Sequence, residues 1–179
     1  TLKFAVYDQC EVDEMERLFI ETFSESDSAA EGEMVGRLTR DLISSTAPDD
    51  LYGFVARDDQ RLIACILLSR LRFESGVKAF ILAPVAVRTD HHGKGIGQRL
   101  IRFGLDALTR DGVELVVTYG DPAFYSKVGF HAVTEASIPA PHPLRQPEGW
   151  QAQSLSGGTL GPIAGRSACA DALNKPEYW

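Results

Sequence analysis

The sequence predicts an α/β fold on three observations. A branched apolar run at residues 82–87 passes through a polar corner into Ile96, Leu100, Phe103 and Ala107, which recur at helical spacing, so the stretch reads as strand, glycine loop, helix. Apolar runs of strand length lie before it, at residues 62–71, and after it, at residues 115–118. The chain, 179 residues with 44% hydrophobic content, is long enough for one proper core and short for two.

Taken in order, residues 2–6 alternate as an edge strand does. Asp8, with Glu11 three residues on, resembles a capping pair, and Val12, Met15, Leu18, Phe19 and Phe23 form one helical stripe. A polar break over residues 24–30 precedes a second helix, with Met34, Val35, Leu38 and Leu42 on its buried face, which ends before Pro48. Two strands follow, at residues 52–56 and 62–71, joined by a polar turn at Asp58-Asp59-Gln60. Glu74-Ser75-Gly76 turns the chain into the strand that ends at Val87. Pro84 marks an interrupted ladder there, because proline has no N–H to donate.

The helix after the glycine loop runs to about Arg110, a cation suited to a last turn, and Gly112 is placed to terminate it. Residues 115–118, apolar but for Thr118 at the end, read as a buried strand. A right-handed crossover through the helix makes that strand the parallel neighbour of the one ending at Val87. Asp121-Pro122 reads as an N-cap followed by proline at the first helical position, with contact to a cofactor as the alternative role for Asp121. Residues 138–144 are proline-rich and extended, residues 150–155 alternate as a final strand, and Gly157, Gly158, Gly161 and Gly165 indicate an irregular tail to Trp179.

No window approaches the roughly 20 apolar residues of a membrane span, and no charged-then-apolar leader precedes the first strand. A soluble, cytoplasmic protein without membrane partners is therefore expected. Cys10, Cys65 and Cys169 are far apart and lack the paired spacing of a zinc site, so they are expected to be reduced structural thiols, with no metal. The net charge of −7 is uneven, with thirteen acids against four bases in residues 1–50. That distribution argues against a nucleic-acid binder, whose basic footprint should be strong. It fits an enzyme that holds a polyanionic cofactor in one half and a cationic substrate beside the other, although solvated helix faces would carry the same acids.

Gly93, Gly95 and Gly97 stand at the helix entrance. Glycines there let the backbone approach a ligand, and first-turn N–H groups at the positive end of the helix suit a phosphate or pyrophosphate. Arg88, Lys94 and Arg99 add positive charge. The dinucleotide fingerprint Gly-x-Gly-x-x-Gly is absent, and so is the Gly-Lys-Ser/Thr of the Walker-type loop.

The segment His92-Gly93-Lys94-Gly95-Ile96-Gly97 resembles the acyl-CoA loop of the GNAT superfamily of N-acetyltransferases, Gln/Arg-x-x-Gly-x-Gly/Ala after an apolar strand, with His92 where the family usually has Gln or Arg. About thirty residues on, Ala123-Phe124-Tyr125-Ser126-Lys127-Val128-Gly129-Phe130 is similar to the Phe-Tyr-x-Lys-x-Gly-Phe signature of the same superfamily. The resemblance covers roughly residues 1–135, and the Gly-Asp-Pro lead-in to Tyr125 is similar to a bacterial branch of predicted acetyltransferases whose acceptors are largely unassigned.

This resemblance implies one N-acetyltransferase domain over residues 1–179, with a core of 1–135 and a C-terminal loop, strand and tail at 136–179. It also implies a mixed, mostly antiparallel sheet splayed between the fourth and fifth strands and flanked by helices. Acetyl-CoA is the implied cosubstrate, held by the N–H groups of Val85, Ala86 and Val87 along its pantetheine and by His92, Gly93, Lys94, Gly95, Ile96, Gly97 and Gln98 at the loop. Val85 or Ala86 would polarise the thioester carbonyl. The family role of the tyrosine at Tyr125 is to protonate the departing thiolate, which a phenol with a pKa near ~10 can do at neutral pH.

Direct transfer to an amine in a ternary complex is expected over an acyl-enzyme, because no cysteine lies in either motif. No motif transfers a general base; Glu31, Glu33, His131 and His142 are candidates. Lys127 reads either as a cofactor contact or as a solvated helix residue. A non-catalytic acyl-CoA-binding sensor or interaction module is the alternative function, and a homodimer remains open.

Overall fold

In the computed structural model, which describes residues 1–179, each expected element forms. The strands are β1 (Leu2–Val6), β2 (Leu51–Asp58), β3 (Arg61–Phe73), β4 (Ala79–Val87), β5 (Leu115–Tyr119), β6 (His131–Ala132), β7 (Trp150–Ser154) and β8 (Ser167–Ala168). They form a sheet in the order β1-β2-β3-β4-β5-β7-β6, with β8 against β3. The helices are α1 (Val12–Ser26), α2 (Ala29–Ser45), α3 (Ile96–Arg110) and α4 (Pro122–Tyr125).

β1 pairs antiparallel with β2, as β7 does with β5 and β6. β4 and β5 are parallel, with α3 in the connection between them. Their pairing runs from Ala79↔Leu115 to Leu82↔Thr118 and stops there, while β4 continues through Pro84 to Val87. This is the parting of the fourth and fifth strands that the resemblance implied.

The chain divides into two compact units, residues 1–68 with 84–104, and residues 69–83 with 105–179. In the first, Met15, Leu18, Phe19 and Leu42 of the helices and Phe54, Ile63 and Ile66 of the strands are buried. The capping box at Asp8 and Glu11 forms as read. The polar break is shorter than expected, because residues 24–26 complete the last turn of α1. Ser28 then caps α2 by accepting from the Glu31 N–H at 3.1 Å, so two residues suffice to reverse the chain.

The two helices approach closely at glycines of α2. A Cβ at Gly32 would meet Ser24 Oγ and lie 2.5 Å from the Ile20 carbonyl oxygen, and one at Gly36 would meet the Ile20 side chain. A backbone carbonyl cannot swing aside as a side chain can. Gly32→Ala is therefore expected to destabilise by about 1–3 kcal/mol through overpacking, read as a lower urea midpoint at unchanged slope. An unchanged midpoint would show that α1 and α2 part freely.

Arg57 on β2 ties the sheet to the start of α1, donating from Nη2 to Glu11 Oε2 and Glu14 Oε1, both at 2.6 Å. The hydrogen bond from Arg57 holds the Glu14 carboxyl below its ordinary range. A lowered folded-state pKa stabilises above the unfolded value, and that contribution is lost as pH falls through the folded one. The stability gap between wild type and Arg57→Gln should thus be widest at neutral pH and shrink on acidification. A gap independent of pH in denaturant titrations would contradict this.

In the second unit Phe130, Ile138, Trp150 and Trp179 are buried. The tail is irregular in conformation, as expected, but fixed in place. β8 pairs with Arg72 and Phe73, the Trp179 indole donates to the Leu173 carbonyl at 2.9 Å, and the Trp179 ring stacks on Tyr119 with centroids 6.2 Å apart. No helix is long and apolar enough to cross a membrane.

Candidate active site

The glycine loop is built as its sequence requires. Gly93 and Gly95 have φ of +79° and +73°, the left-handed region that side chains disfavour. A Cβ at either would find no atom within 4 Å, so the side-chain direction of each is open. The Arg99 N–H donates to the Gly95 carbonyl at 3.0 Å, the first bond of α3. The N–H groups of Gly95, Ile96, Gly97 and Gln98 therefore precede any intrahelical acceptor. Four amides at the positive end of a fifteen-residue helix, beside an open cradle and the exposed Lys94, fit a phosphate or diphosphate.

The neighbouring side chains differ from simple expectation. His92 Nε2 lies 2.8 Å from the Val87 carbonyl and donates to it, since that oxygen can only accept. A neutral imidazole so engaged offers an acceptor at Nδ1, and donation from there to a phosphate requires the protonated ring. Of the three cations, Arg99 lies over the Phe4 ring at 5.0 Å and Arg88 Nη1 reaches Glu21 at 3.5 Å, while Lys94 and Arg99 are both exposed.

Backbone direction along β4 follows from alternation. The Arg88 N–H donates to Ile63 of β3 at 2.8 Å. Successive residues of an extended strand turn their polar groups to opposite edges. The amides of Val85 and Val87 thus point away from β3, and the Ala86 amide points towards it. Pro84 offers no N–H to either edge.

Tyr125, in the second unit, closes the short α4, whose Asp121 side chain accepts from the Ala123 N–H at 2.9 Å as the N-cap. Its ring packs edge-on against Phe124 and Phe130, at 5.0 and 5.8 Å between centroids. A Cβ at Gly120 would lie 2.8 Å from Tyr125 Cε2, so glycine is required there for the ring to pass. Burial pushes the phenol pKa up to about 12, with the Thr118 hydroxyl acting in the opposite direction. Sequence reasoning gave Thr118 and Gly120 no role. The available signal was a lone polar residue at the end of an apolar strand.

A cleft of about 340 Å³ in the first unit is lined by Glu21, Thr22, Glu25, Arg88, Thr89 and Asp90. Three carboxylates against one guanidinium disfavour an anion there. Among the candidate bases, Glu31 and Glu33 lie in the first turns of α2, and His131 is exposed on β6. His142 Nε2 is 2.7 Å from Asn174 Oδ1, and its ring stacks on Trp179. Lys127 is exposed, in the turn after Tyr125.

Comparisons with known proteins agree with this geometry. The family model for an acetyltransferase (GNAT) domain matches residues 49–132, which include both the glycine loop and Tyr125. YjhQ of Escherichia coli K12, named as an uncharacterized N-acetyltransferase, is 30% identical over 141 residues, or 73% of this chain and 77% of that one. The crystal structure of the GNAT-family N-acetyltransferase YhbS from Escherichia coli with CoA superposes with a TM-score of 0.83 at 24% identity, covering 97% of this chain and 92% of that one. A GNAT-family acetyltransferase from Brucella melitensis, solved with acetyl-CoA, gives 0.72 at 21% identity over 97% and 98% of the two chains. These two structures share the fold. The chain belongs to the GNAT family of acetyltransferases.

Proposed function

We propose that the protein transfers an acetyl group from acetyl-CoA directly to an amine in a ternary complex. The observation that carries this reading is the open glycine cradle at the start of α3, where four amides lack intrahelical acceptors. Acetyl-CoA supplies the diphosphate that such a cradle suits and the acetyl group as a thioester. The CoA and acetyl-CoA complexes of the structural relatives support that choice of cosubstrate.

In the proposed reaction Gly93 and Gly95 shape the cradle, the amides of Gly95, Ile96, Gly97 and Gln98 receive the diphosphate, and Lys94 adds charge. Val85 and Val87 turn their amides away from β3 and are assigned to the pantetheine arm; the Ala86 amide, facing β3, is left to the ladder. His92 orders the corner by holding the Val87 carbonyl. A deprotonated amine attacks the thioester carbonyl, the C–N bond forms, the C–S bond breaks, Tyr125 protonates the thiolate, and the proton lost by the nitrogen returns through solvent to the phenolate. Burial that raises the phenol pKa raises that of a thiol released beside it, so the same desolvation acts on donor and acceptor.

The cleft lined by Glu21, Glu25 and Asp90 supports a cationic amine as acceptor. A thiol-release assay over a panel of amines tests the proposal. Turnover is expected, faster with cationic than with anionic amines. Binding of acetyl-CoA without turnover on any amine would replace the enzyme with an acyl-CoA sensor, and faster turnover of anionic amines would overturn the acceptor class.

A further inference from the structure

We propose that Arg88 reads a carbonyl oxygen on the acceptor, so that the amine acetylated is the α-amine of an amino-acid amide or of a peptide amino terminus; this rests on the reading of the cleft as the acceptor site. Arg88 follows Val87 at the end of β4 and lines the cleft of about 340 Å³. Its guanidinium is under-bonded. Nε is buried without a hydrogen-bond partner, Nη1 reaches Glu21 Oε2 only at 3.5 Å, and Asp90 Oδ1 stands 3.9 Å from Nε. A guanidinium that pairs well with a carboxylate does so at about 2.7–2.9 Å. Arg57, in the same unit, shows the contrast, with both of its carboxylate partners at 2.6 Å. A buried donor without an acceptor is costly, and a ligand oxygen removes that cost. The Arg88 side chain keeps 27% of its surface exposed, and one long contact does not hold its fork in place, so it is free to turn to a ligand.

The oxygen must be neutral. Glu21, Glu25 and Asp90 line the same cleft and outweigh one guanidinium, which disfavours a carboxylate there. An amide or ester carbonyl accepts from Arg88 without adding charge. The nature of the amine follows from the same carboxylates. They attract the ammonium form, yet attack on the thioester needs the free base, whose release they oppose. An α-amino group has a pKa of about 7.7–8.0 against about 10.4 for a lysine side chain, which leaves it roughly 300-fold more free base at neutral pH. Such an amine also carries its carbonyl on the carbon next to the nitrogen. Glu21 and Arg88, 3.5 Å apart, match that short spacing.

The test is calorimetry of the full chain saturated with CoA, which holds no acetyl group, titrated with alaninamide or with sec-butylamine. The two amines are similar in shape and largely cationic at neutral pH, and only the first has a carbonyl oxygen. Alaninamide is expected to bind about ten-fold more tightly, as a hydrogen bond to a charged group allows. Arg88→Met keeps the stem and removes every donor. It should weaken alaninamide and leave sec-butylamine bound as tightly or more so, because Glu21 loses its cation. Opposite responses in one variant are not what a loosened cleft would give. Equal affinity of the wild type for the two amines, or a parallel loss of both in Arg88→Met, would overturn the proposal. With acetyl-CoA, lysinamide should be acetylated at its α-nitrogen, read by mass spectrometry, and reaction at the ε-nitrogen would overturn the α-amine class. Selective binding of alaninamide without turnover would support the role of Arg88 and remove the transferase reading, so the two failures are separable.

Discussion

Tyr125→Phe is expected to lower kcat by roughly 10²-fold or more, the usual worth of a general acid, while leaving the affinity for acetyl-CoA within about two-fold. The ring is held by Phe124 and Phe130 and passes over Gly120, contacts that phenylalanine keeps. Only the hydroxyl is removed, so a loss of turnover reports proton donation rather than packing. The acid is active when protonated, and burial holds its pKa at about 12. Its contribution is thus present throughout the neutral and moderately alkaline range and lost only as pH rises through that value. Steady-state kinetics should show no loss on the alkaline side from this group below about pH 11. A variant with wild-type kcat, or one whose loss lies wholly in acetyl-CoA binding, would contradict the assignment.

Gly95→Val carries the second large effect. At φ of +73° a β-branched residue is strained by about 1–3 kcal/mol, and its side chain projects into the space that the loop leaves open. Relief of the strain turns the peptide and disperses the amides that precede the α3 ladder. At 1.4 kcal/mol per factor of ten, acetyl-CoA affinity is expected to fall roughly 5-fold to 150-fold. Lys94→Ala leaves the backbone intact and removes one exposed charge, so it should weaken binding by less and reduce its salt dependence. Titration calorimetry of both variants decides the matter. A larger loss from Lys94→Ala than from Gly95→Val would show that charge, and not backbone geometry, forms the site.

Legibility in the sequence followed the range of the interactions involved. Periodicity placed α1, α2 and α3 because each buries one stripe, and Asp8, Asp121 and Gly112 marked ends because capping is settled within a few residues. The loop from Gly93 to Gln98 was legible for the same reason, since a left-handed glycine and a helix start are local events. The tail was not. Trp179 is buried through Leu173 and Tyr119, and β8 finds its partner in β3, contacts that no local pattern encodes. Nor was the direction of the β4 amides, which the Arg88–Ile63 bond fixes from another strand. The Thr118 hydroxyl finds its acceptor in the Leu82 carbonyl on a neighbouring strand, again a contact no local pattern encodes. His92 was placed correctly in the loop, but its bond to the Val87 carbonyl shows it serving the backbone of the corner.

The central claim is that the start of α3 receives the diphosphate of an acyl-CoA. Calorimetric titration of the full chain with acetyl-CoA, and in parallel with S-acetylpantetheine, which lacks the diphosphate, tests it directly. Saturable binding of acetyl-CoA and much weaker binding of the truncated thioester is the expected result. Equal affinity for the two, or no binding of acetyl-CoA, would contradict it.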